Sequence, residues 1–286
     1  MNCGFEVVGD RSFPVLMCVP GLMGQPENFS QMIPQWTSQY CVVLVNPEAG
    51  NGSGLYGLSA EEMQAVAYYA SADVIHDFLS QEFPDADGFY FVGLSLGGKI
   101  VFDYAVKFPH FFKGAVVVDA GLSSFEKSEI YKVTNDIHNN LNLNQEWPAI
   151  KAELKEKLPE KNLRVLVQTQ VIYPDKKPPA RWKKGMEFFS RMLGEGSISE
   201  QFEPYSKVDA FLASQNRIVR VLHAARLSSI CEPSYQQMKK LKSLAMIETE
   251  NTSHFMFATH IPMVVNEVLN LLPSSKSDSV FAAKQA

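Results

Sequence analysis

Short, nearly continuous apolar runs recur along the chain, and the first four of them end at a turn signal: Pro-Gly, Asn-Pro, Gly or Asp-Ala-Gly. The runs are Val15–Val19, Cys41–Val45, Phe89–Val92, Ala115–Val118, Ile218–Leu222 and Leu244–Ile247. Strands in a parallel sheet that is covered by helices on both sides read in this way, because neither face alternates with solvent. The pattern therefore predicts a mainly parallel central sheet.

Helical patterns lie between these runs. The predicted helices are Ala60–Gln81, Gly98–Lys107 and Pro262–Leu272, and Ser59 with Glu62 resembles a capping box for the first of them. Strands that alternate with helices in this manner define the α/β class, with helices flanking the sheet.

The alternation breaks between residues 122 and 215. This stretch is richer in Lys, Glu and Asn and reads as several short helices, although Leu163–Tyr173 also fits a strand. An insertion of this size between two strands would roof one edge of the sheet. We therefore predict a core formed by residues 1–121 and 216–273, a cap or lid at 122–215 and a disordered tail at 274–286.

Composition and charge narrow the class further. The chain has 286 residues and a net charge of -5 without a long charged run, which argues against nucleic acid as a partner. No apolar run is long enough to span a membrane, and the N-terminus shows no secretory signal. A reduced, cytoplasmic protein is expected, because no C-x-x-C spacing occurs among Cys3, Cys18, Cys41 and Cys231.

The strongest chemical signal is the Gly-x-Ser-x-Gly motif Gly93–Gly97, which lies directly after one predicted strand and directly before a predicted helix. A serine on such a sharp turn has an exposed hydroxyl, and the N-terminus of the helix favours developing negative charge. Ser95 is therefore the candidate nucleophile. Neither H-E-x-x-H nor a Cys/His cluster is present, so no metal and no cofactor are expected.

This motif resembles the nucleophile elbow of the α/β-hydrolase superfamily. Pro20–Gly24 stands where that family often has His-Gly-x-x-Gly, and Asn46–Gly54 resembles a Gly-rich loop of the family. The resemblance implies an α/β-hydrolase fold with an inserted helical cap. It also implies an oxyanion hole formed by the backbone N–H groups of Leu22 and Leu96, a site that is indifferent to side-chain identity.

The resemblance implies the order serine, acid, histidine for a catalytic triad. His254 stands where the family has its general base, late in the chain. The usual slot of the acid falls on Leu227 or Ser228, neither of which can orient an imidazolium. Asp119, at the end of a strand, is our preferred acid, and the alternatives are Glu232 in the expected loop or no carboxylate at all.

The implied function is hydrolysis of a carboxylic ester through a Ser95 acyl-enzyme with His254 as general base. Cleavage of a thioester or a carbon–carbon bond by the same nucleophile is an alternative within this class. A second alternative is a catalytically degenerate member that binds a ligand, because the usual loop lacks an acid.

Two features of the predicted cap bear on substrate and partner. Its apolar residues, which suit an acyl chain or an ordinary cap core, include Trp182, Met186, Phe188, Phe189 and Met192. A basic cluster in an acidic chain fits either a solvated face or the docking of an acidic acyl carrier protein. The latter is the case in the carrier-protein methyl esterases of biotin synthesis, which the chain resembles in length, elbow and cap position. The cluster is Lys176, Lys177, Arg181, Lys183 and Lys184.

Overall fold

The computed structural model describes residues 4–21, 24, 26–46, 71–182, 186 and 201–272. The strands that form the main sheet are β1 (Gly4–Val8), β2 (Val15–Val19), β3 (Cys41–Asn46), β4 (Phe89–Leu94), β5 (Phe112–Val118), β8 (Val219–Arg226) and β9 (Leu244–Ser253). Two short strands, β6 (Val171–Ile172) and β7 (Arg181–Trp182), pair with each other in antiparallel fashion.

The main sheet has the strand order β1-β3-β2-β4-β5-β8-β9. All neighbouring pairs are parallel except β1 with β3, which is antiparallel at one edge. Successive residues of β2 enter the two cores on opposite faces: Val15, Met17 and Val19 on one side, Leu16 and Cys18 on the other. Burial on both faces explains the continuous apolar runs, and the predicted fold class is confirmed.

The α-helices of the described residues are α1 (Ile33–Trp36), α2 (Ala72–Glu82), α3 (Leu96–Lys107), α4 (Glu129–Asn140), α5 (Trp147–Lys157), α6 (Lys161–Thr169), α7 (Phe202–Ser214), α8 (Glu232–Met238), α9 (Met256–Thr259) and α10 (Ile261–Leu269). Ser71 caps α2 by accepting a hydrogen bond from the Val74 N–H at 3.3 Å. The predicted start of this helix, with Ser59 and Glu62, lies outside the described residues. None of the described helices is long and apolar enough to cross a bilayer.

The segment between β5 and β8 has a small core of its own. Buried side chains of α4, α5 and α6 pack together there, among them Ile137, Ile150, Leu154 and Leu163. The ambiguous stretch Leu163–Tyr173 contains both predicted structures, since α6 ends at Thr169 and β6 follows at once. These elements lie over the carboxyl edge of the sheet, where they can roof a site.

The last helix of the predicted cap, α7, belongs by its packing to the sheet domain. The Tyr205 ring lies edge-on to Phe102 of α3 with their centroids 5.4 Å apart, and its hydroxyl lies 3.0 Å from Ser243 Oγ. Asp209 also accepts a hydrogen bond from the Ser243 N–H at 2.8 Å. The predicted cap, 122–215, thus includes at its end a helix that packs on the sheet domain. The predicted tail, 274–286, lies outside the described residues.

Candidate active site

Ser95 occupies the single residue between β4 and α3. Its backbone has a φ of 52° and a ψ of -115°, a conformation that L-residues rarely adopt. Two backbone hydrogen bonds hold it there: the Ser95 N–H donates to the Val118 carbonyl at 2.9 Å, and the Ser95 carbonyl accepts from the Gly98 N–H at 2.8 Å. The turn predicted from the motif is thus a strained elbow that is fixed from both sides.

Close backbone approach explains both glycines of the motif. A Cβ on Gly93 would lie 2.7 Å from the backbone nitrogen of Gly98. A Cβ on Gly97 would overlap the carbonyl oxygen of Val19 and lie 2.6 Å from that of Pro20. The start of α3 therefore packs directly on the end of β2, and no larger residue fits at either position.

The loop after β2 passes close to the candidate nucleophile Ser95. A Cβ on Gly21 would lie 3.3 Å from Ser95 Cβ, so the backbone of this loop passes beside the serine. Leu96 is the first residue of α3, where backbone N–H groups have no partner within the helix. Its proposed role as an oxyanion donor stays a prediction. The second proposed donor, Leu22, lies outside the described residues.

His254 directly follows β9 and is buried. Its Nδ1 lies 2.6 Å from Asp119 Oδ2, and its ring packs edge-on against Phe255 with centroids 5.6 Å apart. An imidazole whose Nδ1–H donates to a carboxylate carries its lone pair on Nε2, which is the form a general base needs. His254 and Ser95 line the same cavity.

Asp119 follows β5 at a φ of 48° and is completely buried. Its Oδ1 accepts hydrogen bonds from the Ala224 N–H at 3.0 Å and the Ser228 hydroxyl at 2.7 Å, and its Oδ2 accepts from the Ser229 N–H at 2.8 Å besides His254. Burial by itself raises the pKa of this carboxyl. The hydrogen bond and charge of His254, with the N–H groups of Ala224 and Ser229, outweigh burial and lower the pKa. The group is therefore ionised at neutral pH.

The two carboxylates considered from sequence have different surroundings. Glu232 begins α8 on the surface, where its Oε1 accepts a hydrogen bond from Gln236 Nε2 at 2.7 Å. Asp119 alone of the two contacts His254. Ser228, in the slot where the acid was expected, instead donates to Asp119. The sequence reasoning missed this role of Ser228, for which a hydroxyl residue in the slot was the available signal.

The cavity at Ser95 has a volume of about 110 Å³. Its floor comes from the sheet domain, with Gly21, Leu94, Ser95 and His254. Its roof comes from α4 and α6 and the residues beside them. The roof residues are Phe125, Ile130, Tyr131, Thr134, Leu163, Leu166, Val167, Gln170 and Met186, and Asn28, Phe255 and Phe257 complete the lining with Gly24. Of the apolar cap residues predicted to suit an acyl chain, Met186 contacts the cavity.

Trp182 packs instead within the cap, where its Nε1–H donates to the His138 carbonyl at 3.2 Å. Phe188, Phe189 and Met192 lie outside the described residues. Among the described residues, no three His, Cys, Asp or Glu side chains converge as metal ligands would.

The basic cluster is described only in part. Lys176, Lys177 and Arg181 are exposed, and Lys176 lines a surface depression together with Glu146. Lys183 and Lys184 lie outside the described residues. Carrier-protein docking at this surface therefore stays a prediction.

With this geometry in place, comparison with known proteins defines the class. The model of the family described as "alpha/beta hydrolase fold" matches residues 14–167, which is more than half of the chain. The chain belongs to this family. The search of the curated proteins gave no significant match.

Solved structures show the same fold across nearly the whole chain. An α/β hydrolase from Novosphingobium aromaticivorans is 18% identical, with 94% of this chain and 93% of that chain covered and a TM-score of 0.63. An esterase from a marine microorganism is 16% identical, with 95% and 99% covered and a TM-score of 0.59. The meta-cleavage product hydrolase of Pseudomonas fluorescens is 14% identical, with 93% and 92% covered and a TM-score of 0.58. At these identities the likeness concerns the fold alone.

Proposed function

We propose that this chain is a serine hydrolase that cleaves a carboxylic ester through an acyl-enzyme on Ser95. One observation carries the proposal: a serine on a strained elbow shares a cavity with a histidine whose Nδ1 is held by a buried, ionised carboxylate. Nucleophile, base and orienting acid are the three parts that acyl transfer requires.

In the first half-reaction, Ser95 Oγ attacks the ester carbonyl carbon while His254 Nε2 takes the hydroxyl proton. The negative charge on the carbonyl oxygen is stabilised by the backbone N–H of Leu96, with that of Leu22 as the second proposed donor. The C–O bond to the alcohol then breaks, and His254 returns the proton to the departing oxygen. The acyl group is left on Ser95.

In the second half-reaction, water attacks the acyl carbon and His254 again accepts the proton. The acid is released and Ser95 regains its hydrogen. Asp119 stays ionised throughout, because its hydrogen bonds stabilise the charged form, and it stabilises the imidazolium that forms twice in each turnover. This hydrogen bond also favours the enzyme over the ligand-binding alternative, which depended on the lack of an acid.

A fluorophosphonate probe tests the proposal, because it labels only an activated serine. The wild-type chain should be labelled and should hydrolyse p-nitrophenyl butyrate. Ser95→Ala should abolish both signals and His254→Ala should reduce both strongly. His260→Ala is a matched control, since this nearby histidine directly precedes α10 and contacts Thr259 instead of Asp119. Labelling that survives Ser95→Ala, or a wild-type chain that is never labelled, would overturn the proposal.

A further inference from the structure

Two buried polar atoms in the roof of the cavity lack a partner. Thr134 is 2% exposed and Gln170 is 3% exposed, and both residues line the cavity above Ser95. Thr134 Oγ1 and Gln170 Oε1 have no hydrogen-bond partner among the residues that the structure describes. Buried polar atoms are nearly always paired, so two unpaired atoms on residues that line one cavity point to a ligand.

The orientation of the Gln170 amide is fixed by its neighbour. The Thr169 hydroxyl donates to the Leu166 carbonyl at 2.6 Å, so Thr169 Oγ1 offers only a lone pair to other groups. Gln170 Nε2 donates to that oxygen at 3.1 Å. The atom left without a partner is therefore Oε1, which can only accept a hydrogen bond. The Thr134 hydroxyl can both donate and accept.

Both residues interrupt apolar stripes that face the cavity. Leu163, Leu166, Val167 and Gln170 follow the helical spacing i, i+3, i+4, i+7 along α6 and its end, and all four line the cavity. Thr134 lies one turn after Ile130 on α4, again on the lining face. An apolar residue at either position would pack in the roof without leaving an unpaired atom, so packing alone does not account for Thr134 and Gln170.

The lining restricts the charge of the ligand. Its described residues include no Lys, Arg, Asp or Glu. An ionised group under this roof would lose its hydration without gaining a counter-charge, which is strongly unfavourable. The other uncharged polar side chains of the lining outside the triad, Asn28 and Tyr131, are engaged in interactions of their own.

We propose that the part of the substrate under the roof carries a neutral hydrogen-bonding group, a hydroxyl or an amide, that donates to Gln170 Oε1 and pairs with the Thr134 hydroxyl. This inference rests on the proposed function, because it names the substrate class of the same site. The preferred substrates are then esters whose apolar chain bears such a group, and plain alkyl esters are poorer ones.

Paired p-nitrophenyl esters test the inference. Straight-chain acyl esters of increasing length are compared in versions that end in a methyl, a hydroxyl or an acetylamino group. At the best length, kcat/KM of the wild type should favour a polar ending by about tenfold, the value of one well-formed hydrogen bond. The two polar endings distinguish a hydroxyl ligand from an amide ligand.

Variants of the roof residues test whether Thr134 and Gln170 cause the preference for a polar-ended ester. Thr134→Val and Gln170→Leu should each bring the ratio of polar to methyl substrate close to one, mainly by loss on the polar substrate. Gln201→Leu is the matched control, since Gln201 is also buried with an unpartnered Oε1 but does not line the cavity. Its ratio should equal that of the wild type. A wild-type ratio near one at every length, or a ratio that survives both roof variants, would overturn the inference. Fluorophosphonate labelling of Ser95 in the same samples shows separately whether the proposed function holds.

Discussion

Replacing Asp119 by Asn tests whether this residue, in its unexpected position after β5, is the acid that orients His254. The carboxylate receives four hydrogen bonds, two at each oxygen. An amide nitrogen at the Oδ2 position would face the Ser229 N–H and force the His254 Nδ1 to become an acceptor. The proton of the ring would then sit on Nε2, where it blocks acceptance of the Ser95 proton. An amide nitrogen at the Oδ1 position would instead face the Ala224 N–H.

Either orientation leaves a buried donor unpaired and lowers stability, and the first also lowers activity because it gives the wrong imidazole tautomer. Loss of the correct imidazole tautomer in a serine–histidine–aspartate site lowers kcat by about 10⁴, and we expect a fall of about 10³–10⁴ for Asp119→Asn. The unpaired donor destabilises the fold by about 1–3 kcal/mol. Because the Asp119 side chain is completely buried, solvent cannot take the place of the lost hydrogen bond.

The assay is hydrolysis of p-nitrophenyl butyrate together with thermal unfolding, each followed as a function of pH. Folding lowers the pKa of Asp119, so its ionised form stabilises the native state. That contribution is complete above the ordinary aspartate pKa of about 4 and is lost as the pH falls through the lowered value. The stability advantage of the wild type over Asp119→Asn should therefore narrow in acid.

Glu232→Gln supplies the matched control, because it makes the same chemical change at the other candidate carboxylate. Glu232 contacts Gln236 on the surface, and we expect near wild-type kcat. An Asp119→Asn variant with nearly full kcat would refute the assignment of the acid. So would a Glu232→Gln variant that loses activity while Asp119→Asn does not.

The remaining predictions concern the elbow, the roof and the basic cluster. Gly97→Ala should lower the free energy of unfolding by about 1–3 kcal/mol, because its Cβ would overlap the end of β2. Wild-type stability in calorimetry would contradict this close packing. Thr134→Val should raise the unfolding temperature of the free protein, because it removes a buried unpaired hydroxyl. Lys176→Glu with Lys177→Glu should reduce cleavage of a carrier-bound ester and spare p-nitrophenyl butyrate; equal loss on both substrates would exclude carrier docking.

Most strands of the sheet were predictable, because burial on both faces of the sheet gives continuous apolar runs in the sequence. The edge strand β1 was missed, since it is only half-buried and its apolar residues Phe5 and Val7 alternate with exposed Glu6. The packing of α7 could not be predicted from the sequence, because amphipathic helices look alike whichever core they join. Contacts of Tyr205 with Phe102 and of Asp209 with Ser243, which only the fold brings together, assign α7 to the sheet domain.

The candidate site shows a similar division. A local motif marks Ser95, because one tight turn imposes its glycines. His254 is predicted only from its position late in the chain, and no local sequence pattern identifies Asp119 as its partner. Asp119 lies 135 residues before His254, and an aspartate at a strand end is equally typical of a turn cap. What distinguishes it is burial among donors that come from a distant loop.

The topology explains how the proposed acid, Asp119, can lie outside the slot that the family resemblance implied and still contact His254. β5 and β8 are parallel neighbours, so the segments that follow them emerge side by side at the same edge of the sheet. The Asp119 N–H still donates to the Leu222 carbonyl at 2.8 Å, which continues the pairing of the two strands up to the site. A carboxylate after β5 therefore approaches His254 from the strand on the far side of β8, instead of from the loop after β8 itself. The loop after β8, with Ser228 and Ser229, then supplies hydrogen bonds to that carboxylate at the place where the family resemblance implied the acid itself.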